Sequence, residues 1–121
     1  MLFKGMDRRA YPRRKVTLEI RLRSIEDRFT DHALIRDISE GGSFVETSKK
    51  YSLGSVVDFE IVLQGGVGLV KGQAKVVREA RGIINGIGIQ FLNLNDLDKK
   101  RIRNIVKGVG QSDLPDELKS A

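Results

Sequence analysis

The sequence contains no cysteine and only one histidine, His32, among its 121 residues. The absence of cysteine excludes a disulfide framework and thiolate chemistry. His32 has no other metal-ligand residue type near it in a suitable pattern, so we expect it to be structural or solvent-exposed rather than a metal ligand. The GxSxG, HExxH and phosphate-loop motifs are also absent. We therefore expect a protein that is not an enzyme and that uses no metal and no cofactor.

Long apolar runs are missing as well. No stretch approaches the roughly 20 apolar residues that a membrane-spanning helix needs, and the N-terminal residues 1–9, MLFKGMDRR, lack the apolar core of a signal peptide. Hydrophobic residues make up 40% of the chain and charged residues 31%, which is typical of a soluble globular domain. We expect one cytoplasmic domain with no membrane partner.

Positive charge is concentrated at the start of the chain. The net charge is +6, and residues 1–15 contain six cationic side chains against the single Asp7, so this segment contributes +5. A nearly neutral body that carries a basic arm indicates a local anionic partner, such as a nucleotide, a nucleic acid or an anionic surface.

Apolar and polar residues alternate from residue 15 to residue 91, a period that predicts half-buried strands. Turn-forming residues separate the alternating segments. Six short strands at this spacing predict a small all-β barrel or sandwich, and closure into a barrel would remove exposed strand edges. The predicted strands are residues 15–22, 32–38, 42–46, 56–63, 70–77 and 86–91.

The apolar period becomes helical after the last strand. Asn95 is the expected N-cap, Asp96 and Asp98 suit the positive first turn, and Gly108 and Gly110 provide a stop. We expect the apolar stripe of this helix to dock on the barrel, because short helices are rarely stable alone. The stripe comprises Leu94, Leu97, Ile102, Ile105, Val106 and Val109.

An RxxxR motif lies within residues 8–16, RRAYPRRKV, as Arg9 and Arg13. Arginine presents a planar fork of donors that suits phosphate oxygens and the O6/N7 edge of guanine, and its flat face can stack on a base. Pro12 disfavours a helical turn and pushes Tyr11 towards an extended conformation. A solvated basic arm would have the same composition, so the motif alone leaves both interpretations open.

A DxSxxG motif follows in RDISEGGSF, as Asp37, Ser39 and Gly42. If the preceding strand persists, Asp37 and Ser39 project on the same side. A carboxylate can accept hydrogen bonds from guanine N1–H and N2–H, and a serine hydroxyl can donate to a phosphate. Gly42, with Gly41 before it, permits close backbone approaches. An ordinary hairpin turn would use the same residue types.

In their order along the chain these features resemble a PilZ domain, the bacterial receptor module for cyclic di-GMP. The RxxxR motif runs directly into the first strand, and the DxSxxG motif follows about two dozen residues later, at the next strand end. Residues 85–91, NGIGIQF, are similar to the family's Gly-x-Gly-aliphatic-x-Phe strand, and an amphipathic helix comes next. The resemblance covers about residues 7–107 and implies a single stand-alone domain.

The resemblance implies a six-stranded antiparallel barrel that binds the dinucleotide at its rim. Arg9 and Arg13 would clamp the ligand, while Asp37, Ser39 and Gly42 would cradle a guanine. Arg8 would occupy a position that bears on whether one ligand or a stacked pair is bound. We expect a flexible basic arm at residues 1–14, the barrel and helix at residues 15–108, and a polar tail at residues 109–121.

The implied function is a cyclic di-GMP receptor that changes conformation on binding and signals to an unidentified downstream protein. An arm that orders over the ligand would be a plausible output signal.

Two other classes of function stay open: a small-barrel binder of RNA or single-stranded DNA, and a ligand-independent interaction module. Aromatic residues make up only 6% of the chain, and Phe59 and Phe91 fall on apolar faces, so a base-stacking platform is not evident. Arg101 and Arg103 of the helix are expected to matter far less for ligand binding than Arg9 and Arg13.

Overall fold

The alternating segments form six strands, as the sequence predicts. The computed structural model describes residues 11–26, 28–63 and 68–108. The observed strands begin and end within three residues of the predicted bounds, and the largest difference is that β5 continues to Ala80. They are β1 Arg14–Ser24, β2 Asp31–Ile38, β3 Gly42–Glu46, β4 Val56–Val62, β5 Leu69–Ala80 and β6 Gly86–Leu92.

The strands close into an antiparallel barrel with the order β1-β2-β3-β6-β5-β4. Both neighbours of β1 are therefore paired with it: Ile20 lies opposite Ala33 of β2 and opposite Ile61 of β4. The barrel, and not the sandwich, is the correct architecture, and every strand edge within it is satisfied by a neighbour.

The barrel interior is filled by the apolar face that the alternation predicts. Leu22, Ile61 and Val76 are fully buried, and the ring of Phe59 packs 5.2 Å from that of Phe91. The two phenylalanines therefore belong to the core or its margin, as expected.

The segment between β3 and β4 closes one end of the barrel. Because β3 and β4 lie on opposite sides of the closed strand order, residues 47–55 must cross this end. Tyr51 in this segment is buried, and its hydroxyl donates a hydrogen bond of 2.8 Å to Asp31 Oδ2. The same carboxylate oxygen accepts a 2.7 Å hydrogen bond from Thr47 Oγ1.

Helix α1, Asp96–Lys107, lies at the other end. Its N-cap is Asn95, whose side chain accepts a 2.7 Å hydrogen bond from the Asp98 backbone N–H, and Gly108 ends the helix in the left-handed conformation with φ of 80°. Ile102 is fully buried against the barrel core, which confirms that the stripe docks there.

Leu97 corrects the predicted stripe, because its side chain is 57% exposed. Buried Asp98 lies on the packed side instead, where Arg101 pairs with its carboxylate and donates a hydrogen bond to the Leu69 carbonyl oxygen. The predicted stripe residue Val109 and the second predicted stop, Gly110, lie outside the described residues.

We use the term rim for residues 11–13, 37–42 and 93–95. The β2–β3 turn, the residues before β1 and the residues that link β6 to α1 all lie at the helix end of the barrel, because β1 runs away from this end while β2 and β6 run towards it. Both sequence motifs reach the rim.

Candidate functional site

The two motifs meet at the start of β1. Arg13 Nε lies 3.5 Å from Asp37 Oδ1, and the two side chains are 20% and 28% exposed, respectively. The antiparallel register explains this contact, since Lys15 pairs with Asp37 and Arg14 pairs with Ile38. Residues 24 positions apart in sequence are thereby brought together by backbone pairing and not by chance side-chain contact.

The carboxylate of Asp37 is fixed from a second direction. Its Oδ1 accepts a 3.3 Å hydrogen bond from the Phe44 backbone N–H, and its backbone oxygen accepts a 2.7 Å hydrogen bond from Ser43 Oγ. The pairing of β2 with β3 is irregular between Ile35 and Asp37, which turns the Asp37 side chain out of the strict alternation. A partly exposed and oriented acceptor therefore stands at the rim.

Ser39 stabilises the turn between β2 and β3. Its hydroxyl oxygen accepts hydrogen bonds from the backbone N–H groups of Gly41 and Gly42 at 3.1 and 3.2 Å, and the side chain is buried. The Ser39 backbone N–H donates a 2.8 Å hydrogen bond to the Gly42 oxygen. The expectation that Asp37 and Ser39 project on the same side depended on the strand persisting to Ser39, and β2 ends at Ile38. Ser39 instead faces into its own turn, because its hydroxyl caps the two glycine N–H groups.

Gly42 is required by close packing of two strands. A Cβ atom at Gly42 would lie 2.1 Å from the backbone oxygen of Ile89, where β3 pairs with β6. Gly41, next to it, faces the ring of Tyr11, whose Cδ2 would be 2.9 Å from a Cβ atom. The absence of side chains at both glycines lets β6 approach from one side and the arm from the other.

Tyr11 shows the path of the arm at its last described residues. Its ring lies against Gly41 of the DxSxxG turn, two residues before Arg13. Arg8 and Arg9 lie outside the described residues. Of the six predicted site residues, the structure therefore places Arg13, Asp37, Ser39 and Gly42, and it brings all four to one part of the rim.

Between the DxSxxG turn and α1 lies a cavity of about 410 Å³. This volume is within the range of about 300–1,000 Å³ that small-molecule sites occupy. We call this space the rim cavity and define it by its lining residues Tyr11, Glu40, Gly41, Gln90, Phe91, Asn93, Leu94, Lys99 and Arg103. Arg103 Nε lies 3.4 Å from Glu40 Oε1, so the helix is joined to the DxSxxG turn.

Sequence reasoning did not find the rim cavity, because the contact of Arg103 with Glu40 spans 63 residues and depends on how the helix docks. One signal was present: Lys99 and Arg103 are four residues apart, so they share a helix face. The structure places Arg103 beside the DxSxxG turn. The expectation that Arg103 matters far less for ligand binding than Arg9 and Arg13 stays a prediction.

A larger groove of about 690 Å³ lies on the barrel wall formed by parts of β1, β2, β4 and β5. None of its lining residues belongs to either motif. Both carboxylates that line it already have partners: Arg21 lies 3.5 Å from Glu60, and Gln73 donates to Asp58 at 3.3 Å. The rim, where the motifs meet, is therefore the better candidate site despite its smaller cavity.

The described residues contain no group of three or more His, Cys, Asp and Glu side chains that could hold a metal ion. His32 is an exposed side chain, 3.9 Å from Glu19. In the same part of the chain, no helix is long and apolar enough to cross a membrane.

A closed six-stranded antiparallel barrel with Arg13 beside an Asp-Ser-Gly turn at one rim defines a class of small β-barrel modules. The chain belongs to the PilZ domain family, whose family model matches residues 7–108. No curated protein matches the chain in sequence.

Solved structures of PilZ proteins share the fold. The PilZ domain of YcgR from Escherichia coli, solved with c-di-GMP, superposes with a TM-score of 0.72 at 14% identity, covering 95% of this chain and 100% of that one. The inhibitor of motility MotI/DgrA from Bacillus subtilis gives a TM-score of 0.73 at 17% identity, covering 84% of this chain and 50% of that one. The PilZ domain of CeSA from a cellulose-synthesizing bacterium gives a TM-score of 0.59 at 22% identity, covering 80% of this chain and 96% of that one. The chain thus spans half of MotI/DgrA and nearly all of the isolated PilZ domains.

Proposed function

We propose that this protein is a non-enzymatic receptor for cyclic di-GMP, bound at the rim by Arg8, Arg9, Arg13, Asp37, Ser39 and Gly42. The observation that carries the proposal is the 3.5 Å contact between Arg13 and Asp37, which joins two motifs far apart in sequence. Family membership and the c-di-GMP complex of the structurally similar YcgR domain support the choice of ligand.

The chemistry of the rim fits this ligand. Cyclic di-GMP carries two phosphate charges and two guanine faces, and the arginine fork can pair with phosphate or stack on a base. Asp37 is an oriented acceptor for guanine N1–H and N2–H. In the structure Arg13 and Asp37 neutralise each other, so a ligand that contacts either group competes with this largely buried pair.

The remaining residues have different roles in the proposal. Ser39 and Gly42 act by shaping the turn and by letting β6 approach, since the Ser39 hydroxyl is already used within the turn. Arg9 precedes Tyr11 by two residues, a span of at most about 7 Å. With Tyr11 against Gly41, this short span would allow Arg8 and Arg9 to contact a ligand at the same turn.

Binding is proposed to close the arm over the ligand and to change the surface that a downstream protein recognises. The arm would then lose conformational entropy on binding, which the enclosing contacts offset. The described contacts that would transmit the change are Tyr11 with Gly41 and Arg103 with Glu40, since both involve the DxSxxG turn.

Isothermal titration calorimetry with the full chain and cyclic di-GMP tests the proposal. We expect saturable binding that Arg13→Ala weakens by at least about tenfold, the loss of one charge-assisted contact. Arg81→Ala is the matched control: Arg81 pairs with Glu79 in the β5–β6 connection, at the end of the barrel away from the rim. The control should bind like the wild type.

Absence of binding at ligand concentrations on the order of 100 μM, where even a weak receptor would respond, would reject the receptor function. Binding of an unrelated single-stranded oligonucleotide that falls steeply with salt and ignores base identity would favour the nucleic-acid class instead.

A further inference from the structure

We infer that Lys99 and Arg103 of α1 are additional ligand-binding residues, which bind a phosphate of a guanine nucleotide in the rim cavity, and that Glu40 competes with that phosphate for Arg103. This inference rests on the proposed function, because it assigns residues of the helix to the same ligand. Neither residue belongs to the RxxxR or the DxSxxG motif.

The rim cavity is lined by residues that are close in sequence to the Arg13–Asp37 pair. Tyr11 lines the cavity and lies two residues before Arg13, and Gly41 lines it from the turn that follows Asp37. A ligand of two nucleotide units that occupies the pair with one unit therefore has the cavity beside it for the other.

The cavity walls are polar and carry both hydrogen-bond donors and hydrogen-bond acceptors. Gln90 and Asn93 present carboxamides, which can donate and accept, and Tyr11 supplies a phenol ring. Asn93 has a backbone φ of 52°, a left-handed conformation that asparagine tolerates better than most residues. Such walls suit a purine edge and a sugar more than an apolar ligand.

Two cations face this space from one side. Lys99 and Arg103 are an i, i+4 pair on α1, so both side chains reach the same wall. Within residues 11–26, 28–63 and 68–108, the Lys99 ammonium forms no hydrogen bond and no ion pair. An unpaired cation in a polar cavity is a ready phosphate ligand.

Arg103 differs from Lys99 because a carboxylate already neutralises it. Glu40 Oε1 lies 3.4 Å from Arg103 Nε, and the side chains are 31% and 45% exposed. A dianionic ligand in the cavity would compete with Glu40 for this guanidinium and would be repelled by the carboxylate. Glu40 therefore acts as an internal counter-ion that lowers the affinity and that is released when the ligand binds.

The test is calorimetry of cyclic di-GMP with Lys99→Ala, Arg103→Ala and Glu40→Gln in the full chain. We expect each alanine variant to weaken binding by about tenfold, the loss of one charge-assisted hydrogen bond to phosphate. Glu40→Gln should tighten binding about two- to fivefold, because it removes an exposed negative charge next to the ligand.

Lys100→Ala is the matched control, since Lys100 is adjacent in sequence but points about 100° around the helix and does not line the cavity. Thermal melts should show that all four variants remain folded. If the wild type binds and Arg13→Ala removes binding while Lys99→Ala and Arg103→Ala bind like Lys100→Ala, the inference is wrong and the proposed function stands. Weaker binding by Glu40→Gln would overturn the counter-ion role, and a wild type that does not bind would overturn both proposals.

Discussion

Arg14 Nη1 donates a 2.7 Å hydrogen bond to the backbone oxygen of Ile105, so the first residue of β1 holds the last turn of α1. The same guanidinium lies next to the helix C-cap, 3.2 Å from the position of a Cβ atom at Gly108. The Ile105 oxygen also accepts a 3.1 Å hydrogen bond from the Gly108 N–H, so Arg14 adds a second donor to this carbonyl and places a cation at the negative end of the helix dipole. The residue that follows Arg13 thus connects the candidate site to the helix.

We expect Arg14→Ala to lower the free energy of unfolding by about 1 kcal/mol, because it removes one charge-assisted hydrogen bond and one favourable dipole interaction at an exposed site. Urea denaturation followed by circular dichroism measures the change. Arg14→Lys should restore part of the lost free energy of unfolding, because a lysine ammonium also interacts favourably with the negative end of the helix dipole. An unchanged unfolding midpoint in Arg14→Ala would show that the contact does not stabilise the docked helix.

Substitution of Gly42 by alanine should be strongly destabilising, by about 2 kcal/mol or more, since the new Cβ would overlap the Ile89 backbone oxygen and force β3 away from β6. Gly82→Ala is the control, because a Cβ there meets no atom within 4 Å. Its stability should stay within about 0.5 kcal/mol of the wild type. Equal stabilities of the two variants in thermal melts would contradict the close β3–β6 approach.

The helix stripe can be tested with a pair of apolar truncations. Ile102→Ala should cost about 2–4 kcal/mol of stability, because it leaves a cavity where α1 meets the core. Leu97→Ala, on the exposed side of the same helix, should change stability by less than about 0.5 kcal/mol. Similar losses in both variants, measured by denaturant unfolding, would mean that the helix does not dock through Ile102.

The local periods of the sequence predict the strands and the helix because each element buries one face against a single core. Phe59 and Ile61 alternate with polar neighbours and are buried accordingly. The N-cap at Asn95 is equally local, since its side chain accepts a hydrogen bond from the backbone N–H three residues later, at Asp98, and needs no tertiary partner.

Features that depend on the docking of separate elements were not predictable in this way. Leu97 fits the helical period but falls outside the packed face, while Asp98 is buried because Arg101 accompanies it. Ser39 matches a motif, yet the turn determines where its hydroxyl points. The contact of Arg103 with Glu40 has no local signal, since neither residue's sequence neighbourhood specifies the partner.

Barrel closure also has a consequence for the rate of folding. The β1–β4 ladder pairs Ile20 with Ile61 and the β3–β6 ladder pairs Val45 with Ile87, so closure of the ring needs segments about forty residues apart. Pairings of such large sequence separation give a high contact order and slow refolding. Arg13 directly precedes β1, the strand that makes the β1–β4 pairing, so a nucleotide held by Arg13 and Asp37 would keep β1 against β2 and slow the opening of the ring.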